Sequence, residues 1–330
     1  MLLEEIFINI LPHLSLKILN NMRTISRYII LLFLLIPMVD ANSQDQQEKI
    51  DSLVSLLKEA GREWNDYSIP LIEIGDRAVP ALVEVVKDRS LEQWNRRVAA
   101  MTLNSIHSPL WVEPAKEILF DPTEDPVLRN HATAGLRGFD LAEVKDRLWE
   151  LFNEESNEFH KSNLANLLMT ADTSLAYKAF AELYLKYDAH IQRNALQNLV
   201  RLRPGESTMW YLNAVQSDDW MTANSAMDSL ITSAHFDATA LLEAYHQAGS
   251  GEELKWRIVY IFEHRNEPES IPLLKEALQD KSWLVHTEAA VGLSRFDPDS
   301  VIPALEKLQN DSRQYVRGNT NWVIKNLKNN

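Results

Sequence analysis

The chain has 330 residues, 45% of them hydrophobic and 24% charged, with 9 glycines, and carries a formal charge of −14. That length and composition suit a large buried core, and the acidic balance argues against general nucleic-acid binding, which draws most of its affinity from phosphate contacts. Cysteine is absent, which excludes disulfides, thiolate metal sites and cysteine-linked lipid anchors and leaves the compartment open.

The amino-terminal stretch speaks to the compartment. Arg23 and Arg27 precede a 12-residue apolar run, Tyr28–Val39, and then Asp-Ala-Asn-Ser-Gln. Basic residues, a short apolar core and small residues in that order predict a secretory signal peptide over residues 1–43. The run is shorter than the ~20 apolar residues of a membrane span. Met22 is the better start by this pattern, and residues 1–21 read as an upstream extension. The expected mature chain begins at Asn42 or Gln44, exported to the periplasm or the extracellular space, with no stable membrane span after cleavage.

Residues 44–75 come next. Glu48–Gly61 has the spacing of an amphipathic helix that caps whatever follows, and Gly61–Asp76 reads as a degenerate helical unit. From residue 76 to 330 a single pattern repeats. Its clearest copy is Ser270–Phe296. There Ile271, Leu274, Ala277 and Leu278 form one apolar stripe, a polar turn follows, and Val285, Ala289 and Leu293 share the face of a second helix. Pro272 sits in the first turn, where its missing N–H removes no helical bond.

Aligning the second helices on their small central residue gives Ala99, Ala132, Asn163, Ala195, Ala226, Ile258, Ala289 and Thr320, spaced by 31 to 33 residues. Four residues later stand Leu103, Leu136, Leu167, Leu199, Leu230, Phe262, Leu293 and Ile324, all apolar. First helices precede them, as in Ala78–Val86, Val144–Phe152 and Val301–Gln309, with polar turns between. No strand alternation and no linker breaks the register, so one helical domain is expected from about residue 45 to the end. A tetratricopeptide reading fails on period and pattern. The polar last helix, with Asn319, Asn321, Lys325, Asn326 and Lys328, suits a terminal cap.

An Asp in the turn, then Val-Arg, the small residue and Leu, as in Asp311…Val316-Arg317 and Asp280…Val285-His286, resembles HEAT repeats, in particular the short HEAT-like repeats of phycobilin lyases. The resemblance covers roughly residues 65–328. It implies an all-α solenoid of about eight stacked antiparallel helix pairs with polar caps and a concave wall lined by second helices. It departs at Asn163, Ile258 and Thr320, where Ala is usual, and at Pro70, which falls inside a second helix.

Three columns carry the candidate contacts. Three residues before the small position stand Arg96, Arg129, His160, Gln192, Ala223, Lys255, His286 and Arg317; the family pattern implies a ladder of these with the turn Asp, here Asp280 and Asp311, with Glu154 a further candidate. The next column, Arg97, Asn130, Lys161, Arg193, Asn224 and Trp256, contains no aliphatic residue and is expected to be exposed and to form the binding surface. Trp256 among Arg97, Lys161 and Arg193 suits a contact centre, and the other reading of the column before it is a basic strip on the concave wall for an anionic segment of a partner, since Arg binds carboxylates bidentately. Trp94, Trp220, Trp283 and Tyr315, just before second helices, are expected to pack between units, the other reading being an aromatic edge for a glycan or peptide.

The chain contains no His-Glu-x-x-His motif, phosphate-binding glycine loop or Gly-x-Ser-x-Gly elbow. The reading is therefore a non-catalytic exported scaffold, without cofactor or metal, that binds a protein of the cell envelope and not nucleic acid. The alternative is an accessory or lyase-like enzyme, which rests only on the resemblance to bilin lyases, whose task is cytosolic.

Overall fold

A computed structural model describes residues 44–329. The expected signal peptide and upstream extension lie outside the described residues. Every regular element described is helical, and none of these helices is long and apolar enough to cross a membrane. The chain divides into two compact units, the first ending at Phe139 and the second running from Asp140 to the end.

In the first unit the helices are α1 (44–59), α2 (Trp64–Ile74), α3 (Val79–Lys87), α4 (Gln93–Ile106), α5 (Val112–Leu119) and α6 (Pro126–Gly135). Consecutive pairs α3/α4 and α5/α6 pack antiparallel, and α4 also packs on α2 and α6. Asn95 of α4, nearly fully buried, donates from its amide to the carbonyls of Leu57 and Ala60 (both 3.1 Å) and so closes the open carbonyls at the end of α1. Pro70 is accommodated inside α2, which ends at Gly75 with φ of 72°, a left-handed conformation open to glycine without a Cβ penalty.

The second unit holds α7 (Lys145–Glu154), α8 (Glu158–Ala171), α9 (Thr173–Lys186), α10 (Ala189–Leu202), α11 (Ser207–Val215), α12 (Trp220–Thr232), α13 (Ala238–Gln247), α14 (Glu252–Arg265), α15 (Ile271–Ala277), α16 (Trp283–Leu293), α17 (Pro298–Leu305) and α18 (Gln314–Asn329). Even-numbered helices are the second helices of the repeat. Asp or Asn caps several of them: Asn157, Asp188 and Asp219 accept from the first free N–H groups of α8, α10 and α12. The last first helix departs from the sequence expectation. It starts one turn early, at Pro298, and tightens into a 3₁₀ stretch over Glu306–Asn310, so Pro303 lies inside it.

The repeat register holds throughout. Each of the eight apolar residues four past the small position is buried, and Leu103, Leu167, Leu199, Leu230 and Leu293 have no exposed surface at all. Full burial of such a side chain stabilises by about 1.5–3 kcal/mol, so this column contributes heavily to the stacking of second helices. Of the small column only Asn163 is not fully buried. Ile258 is tolerated where Ala is usual, and Thr320 is buried with a hydroxyl that finds no hydrogen-bond partner.

Candidate functional site

The side chains three before the small position hold the fold, by a route the sequence did not specify. Arg96 is 3% exposed, donates from Nε to the Val86 carbonyl (2.8 Å) and grips Glu124 of the next repeat bidentately, at 2.9 and 2.6 Å. Arg129 donates to the Leu119 carbonyl, and Arg317 to the Asp311 carbonyl. His286 Nδ1 likewise faces the Asp280 carbonyl at 3.1 Å. The expected ladder within each repeat is therefore corrected: Arg96 and Arg129 cap the end of the first helix, while His286 and Arg317 bond the backbone of the turn aspartate and not its carboxylate. The carboxylate pairs that form, Arg96–Glu124 and Lys255–Asp280, run to the next repeat. Asp280 thus pairs with the column residue of the preceding repeat, Lys255 (2.9 Å), and Asp311 with Arg313 (2.8 Å). The bonds from Arg313 hold the Asp311 carboxyl down at about 2. Glu154 takes no part; His160 faces Glu155, at 3.7 Å.

The six residues proposed from sequence as the binding surface do not form a row of free side chains. Arg97 binds Asp125 (3.0 and 2.9 Å) and Arg193 binds Asp219 (2.9 Å), each reaching the N-cap carboxylate of the next second helix. Lys161 is a correction: it is 5% exposed, with its ammonium 4.5 Å from the Phe152 ring centroid and 3.2 Å from Glu182. Its long stem and the ring beneath it allow that burial, which a sequence column of polar residues does not reveal. Asn130 and Asn224 are half-buried. Trp256 is half-buried and donates from Nε1 to Glu288 (3.0 Å).

Around Trp256 the second helices α12, α14 and α16 gather the most unusual chemistry in the second unit. Glu263 is 1% exposed, and neither carboxylate oxygen receives a hydrogen bond of normal geometry. Its contacts are Arg295 Nη1 at 2.5 Å and the Nδ1 of His264, while the Glu288 carboxyl lies against it within hydrogen-bond reach. Burial, opposed by Arg295 and reinforced by Glu288, pushes the Glu263 carboxyl up to about 7. Tyr260 lies tilted against His264 (3.9 Å between centroids) and against Trp256 (5.8 Å). Burial raises its hydroxyl, and the charges of Asp228, Glu263 and Glu288 raise it further against Arg295. Glu263 has room because Gly292 stands opposite; a Cβ there would come within 2.8 Å of Glu263 Cγ. The sequence reading passed over this cluster, although a Glu five past the small residue, in a column otherwise filled in the second unit by Leu168, Val200, Ile231, Ser294 and Lys325, was the available signal.

The aromatic residues before second helices also depart from expectation. Tyr315 is half-buried, stacked on His286 at 4.8 Å, and so fits the packing reading. Trp94, Trp220 and Trp283 are instead 43%, 54% and 66% exposed. Val127, Phe159 and Met221 occupy the same first two positions of their helices and are exposed as well. Among the described residues no group of three or more His, Asp or Glu is arranged to hold a metal ion.

A family model described as HEAT repeats matches residues 238–325. Residues 238–325 are thus similar to HEAT repeats, and by fold the described chain is an all-α helical-repeat solenoid. No curated protein matches the chain in sequence. Solved structures similar to it include human deoxyhypusine hydroxylase in complex with glycerol, at 14% identity over 88% of this chain and 99% of that one, with a TM-score of 0.33. The Escherichia coli protein YibA is 11% identical over 82% of this chain and 98% of its own, TM-score 0.42. A designed armadillo repeat protein is 14% identical over 76% and 99%, TM-score 0.20. At these values the likenesses say nothing of activity or ligand.

Proposed function

We propose that this helical-repeat solenoid is an exported, non-catalytic scaffold that binds a protein of the cell envelope through the outward face of its second helices. The carrying observation is the placement of exposed apolar side chains. Six of the twelve large exposed ones among the described residues, Trp94, Val127, Phe159, Trp220, Met221 and Trp283, lie in the first two residues of a second helix. Such recurrence at one position of the repeat, in both units, is not what scattered surface residues would give. These side chains are 42% to 66% exposed, and large exposed aromatics are the currency of interface hot spots.

The paired state of Arg97, Lys161 and Arg193 moves the emphasis away from a cationic strip and toward these aromatics. Two measurements test the reading. Cell fractionation with intact-mass analysis should find the chain outside the cytoplasm, starting at Asn42 or Gln44; a full-length cytoplasmic product would end the export part. Photo-crosslinkers placed at Trp94 and Trp283 should trap the same envelope protein, and crosslinkers at Glu84 or Lys178, on first helices, should not. A partner trapped from the first helices instead would move the surface.

A further inference from the structure

We propose that the groove between the first helices α11 and α13 binds a short extended peptide in which an apolar side chain is flanked by lysine or arginine. The site stands apart from the second-helix surface proposed above, and neither reading depends on the other. A cavity of about 430 Å³ opens between the two helices, with Trp210, Met209 and Leu212 on one side and Ala240 and Ala244 on the other. The two alanines lie one turn apart on one side of α13, and their small side chains leave the room. The lining runs from Met209 to Gln216 and from Ala240 to Gln247. Each run is two helical turns, roughly 10 Å, which is the reach of about three extended residues.

The apolar part of the groove is held rigid from behind. Trp210 is 9% exposed and packs edge-to-face with Tyr177 and Tyr184, at 6.3 and 5.3 Å between centroids. Its Nε1 donates to the Tyr177 hydroxyl (2.9 Å), so the polar edge of the indole is satisfied within the protein and ring carbon is left for a ligand. The Tyr184 hydroxyl donates to Asn213 Oδ1 (2.8 Å) and fixes that amide, whose nitrogen donates to no protein group among the described residues. Asn213 and, on the opposite helix, Gln247 thus offer carboxamides that match the N–H and C=O groups of a peptide backbone.

Charge selects the flanking residues. Glu243 lines the groove, is exposed and makes no ion pair among the described residues, and no lysine, arginine or histidine joins it in the lining. An anionic segment is repelled there, and a cation beside the apolar side chain gains a charge-assisted hydrogen bond. Met209 is 56% exposed, and Asn213, Gln216 and Gln247 are exposed too, so a ligand is covered on one side only. That suits a segment of a longer chain, whereas pockets for free small molecules enclose most of the ligand surface.

The test uses the purified protein and fluorescein-labelled Gly-Ser-Lys-Leu-Lys-Gly-Ser, followed by anisotropy at physiological ionic strength. This peptide should bind, and the versions with Glu-Leu-Glu or Lys-Ser-Lys at the centre should bind at least tenfold more weakly. Ala244→Leu, which fills the cavity, should weaken binding at least tenfold, and Glu243→Gln three- to fivefold. Glu84→Gln, on a first helix of the first unit, should change it less than twofold. Met209→Ser alters an exposed side chain of the same groove and should weaken binding at least threefold, which keeps the test decisive if Ala244→Leu fails to fold. Unchanged thermal melts identify the folded variants. Equal binding of the Lys-Ser-Lys peptide, or equal weakening by Glu84→Gln, would reduce the effect to the attraction of an acidic chain for cations and overturn the proposal. Parent-like binding by folded Ala244→Leu or by Met209→Ser also overturns it, as does no binding with protein at about 0.5 mM. Free leucinamide competing as well as unlabelled peptide would overturn the peptide assignment in favour of a small amine.

Discussion

The same repeat position is solved in opposite ways in the two units. Five residues past the small position, Asn104 in the first unit and Glu263 in the second each face a glycine three past the small position of the next repeat, Gly135 and Gly292. Those are the only two repeats with glycine there, so the polar side chain and the missing Cβ go together. Asn104 is satisfied: its amide donates to the His131 carbonyl (2.9 Å) and its oxygen accepts from Trp111 Nε1 (3.0 Å). Glu263 brings a carboxyl into the equivalent space and is held by charge instead, by Arg295 Nη1 (2.5 Å) and His264 Nδ1, with the Glu288 carboxyl against it. A neutral amide therefore meets the structural need, and the carboxyl in the second unit exceeds it. That surplus is what separates a stacking device from a candidate site.

The largest effects should be the ones the two units share. Leu103→Ala and Leu293→Ala each remove a side chain with no exposed surface from the same column and should each cost about 2–5 kcal/mol, measured by denaturant unfolding. If either were silent, the register that makes Asn104 and Glu263 equivalent would be wrong.

Next come the glycines, where the units should diverge. A Cβ at Gly135 would lie 2.3 Å from both Asn104 Oδ1 and Trp111 Nε1, and Trp111 is fully buried and cannot yield. At Gly292 the nearest atom is Glu263 Cγ at 2.8 Å, part of a flexible chain. Overpacking costs about 1–3 kcal/mol, and Gly135→Ala should sit at the upper end and Gly292→Ala at the lower. Combining Gly292→Ala with Glu263→Ala should recover most of the loss; failure to do so would mean that the glycine serves the backbone and not the carboxyl.

The third effect is pH-dependent and belongs to the second unit alone. Glu263 is pushed up to about 7 from an ordinary value of 4.5. Between those values the folded chain binds more protons than the unfolded one, so this group's contribution to stability is full below about pH 4.5 and declines as pH rises through 7. The groups facing it are Tyr260 and His264 on α14, Glu288 on α16 and Arg295 just past the end of that helix. Asp311, held at about 2, acts with the opposite sign, being stabilising above the ordinary aspartate range and losing that effect only as pH falls toward 2. Glu263→Gln should flatten the decline between pH 5 and 8 and raise the melting midpoint at pH 8. No change in that slope would show that Arg295 keeps the carboxylate ionised throughout.

Much of this architecture was legible in the sequence because stacking is a local, repeated demand. A Leu every 31 to 33 residues has one physical meaning, and the structure buries every member of that column. Side-chain destinations were not legible, because they depend on which neighbour a long side chain reaches. Arg97 and Arg193 look like free cations until the N-cap aspartates of the next helices are placed 2.9 to 3.0 Å away. Lys161 looks exposed until Phe152 appears beneath it. Asp280 and His286 stand at the spacing of a side-chain pair, yet the bond goes to the turn's backbone carbonyl, because Lys255 of the preceding repeat already holds the carboxylate. Glu263 was invisible as a site because its partner glycine lies in the next repeat, and only the comparison with Asn104 and Gly135 marks it.

The smallest expected effect on folding is also the one that bears most on function, and it treats the two units alike. Trp94 and Trp283 begin second helices in the first and second unit and leave 43% and 66% of their surface in water. Neither donates a side-chain hydrogen bond that the structure records, and their apolar area is already paying the cost of hydration in the folded state. Trp94→Ser and Trp283→Ser should therefore shift stability by no more than about 0.5 kcal/mol each, as surface substitutions usually do. A hot-spot aromatic behaves differently in a complex, where its removal commonly costs about 2 kcal/mol or more of binding. Measured side by side, the two variants should melt like the parent while losing at least tenfold in affinity for the crosslinked partner. If both the melt and the affinity stayed put in one unit and changed in the other, the binding surface would be confined to a single unit. A fall of 2 kcal/mol in folding stability would instead restore the packing role that the sequence first suggested for these tryptophans.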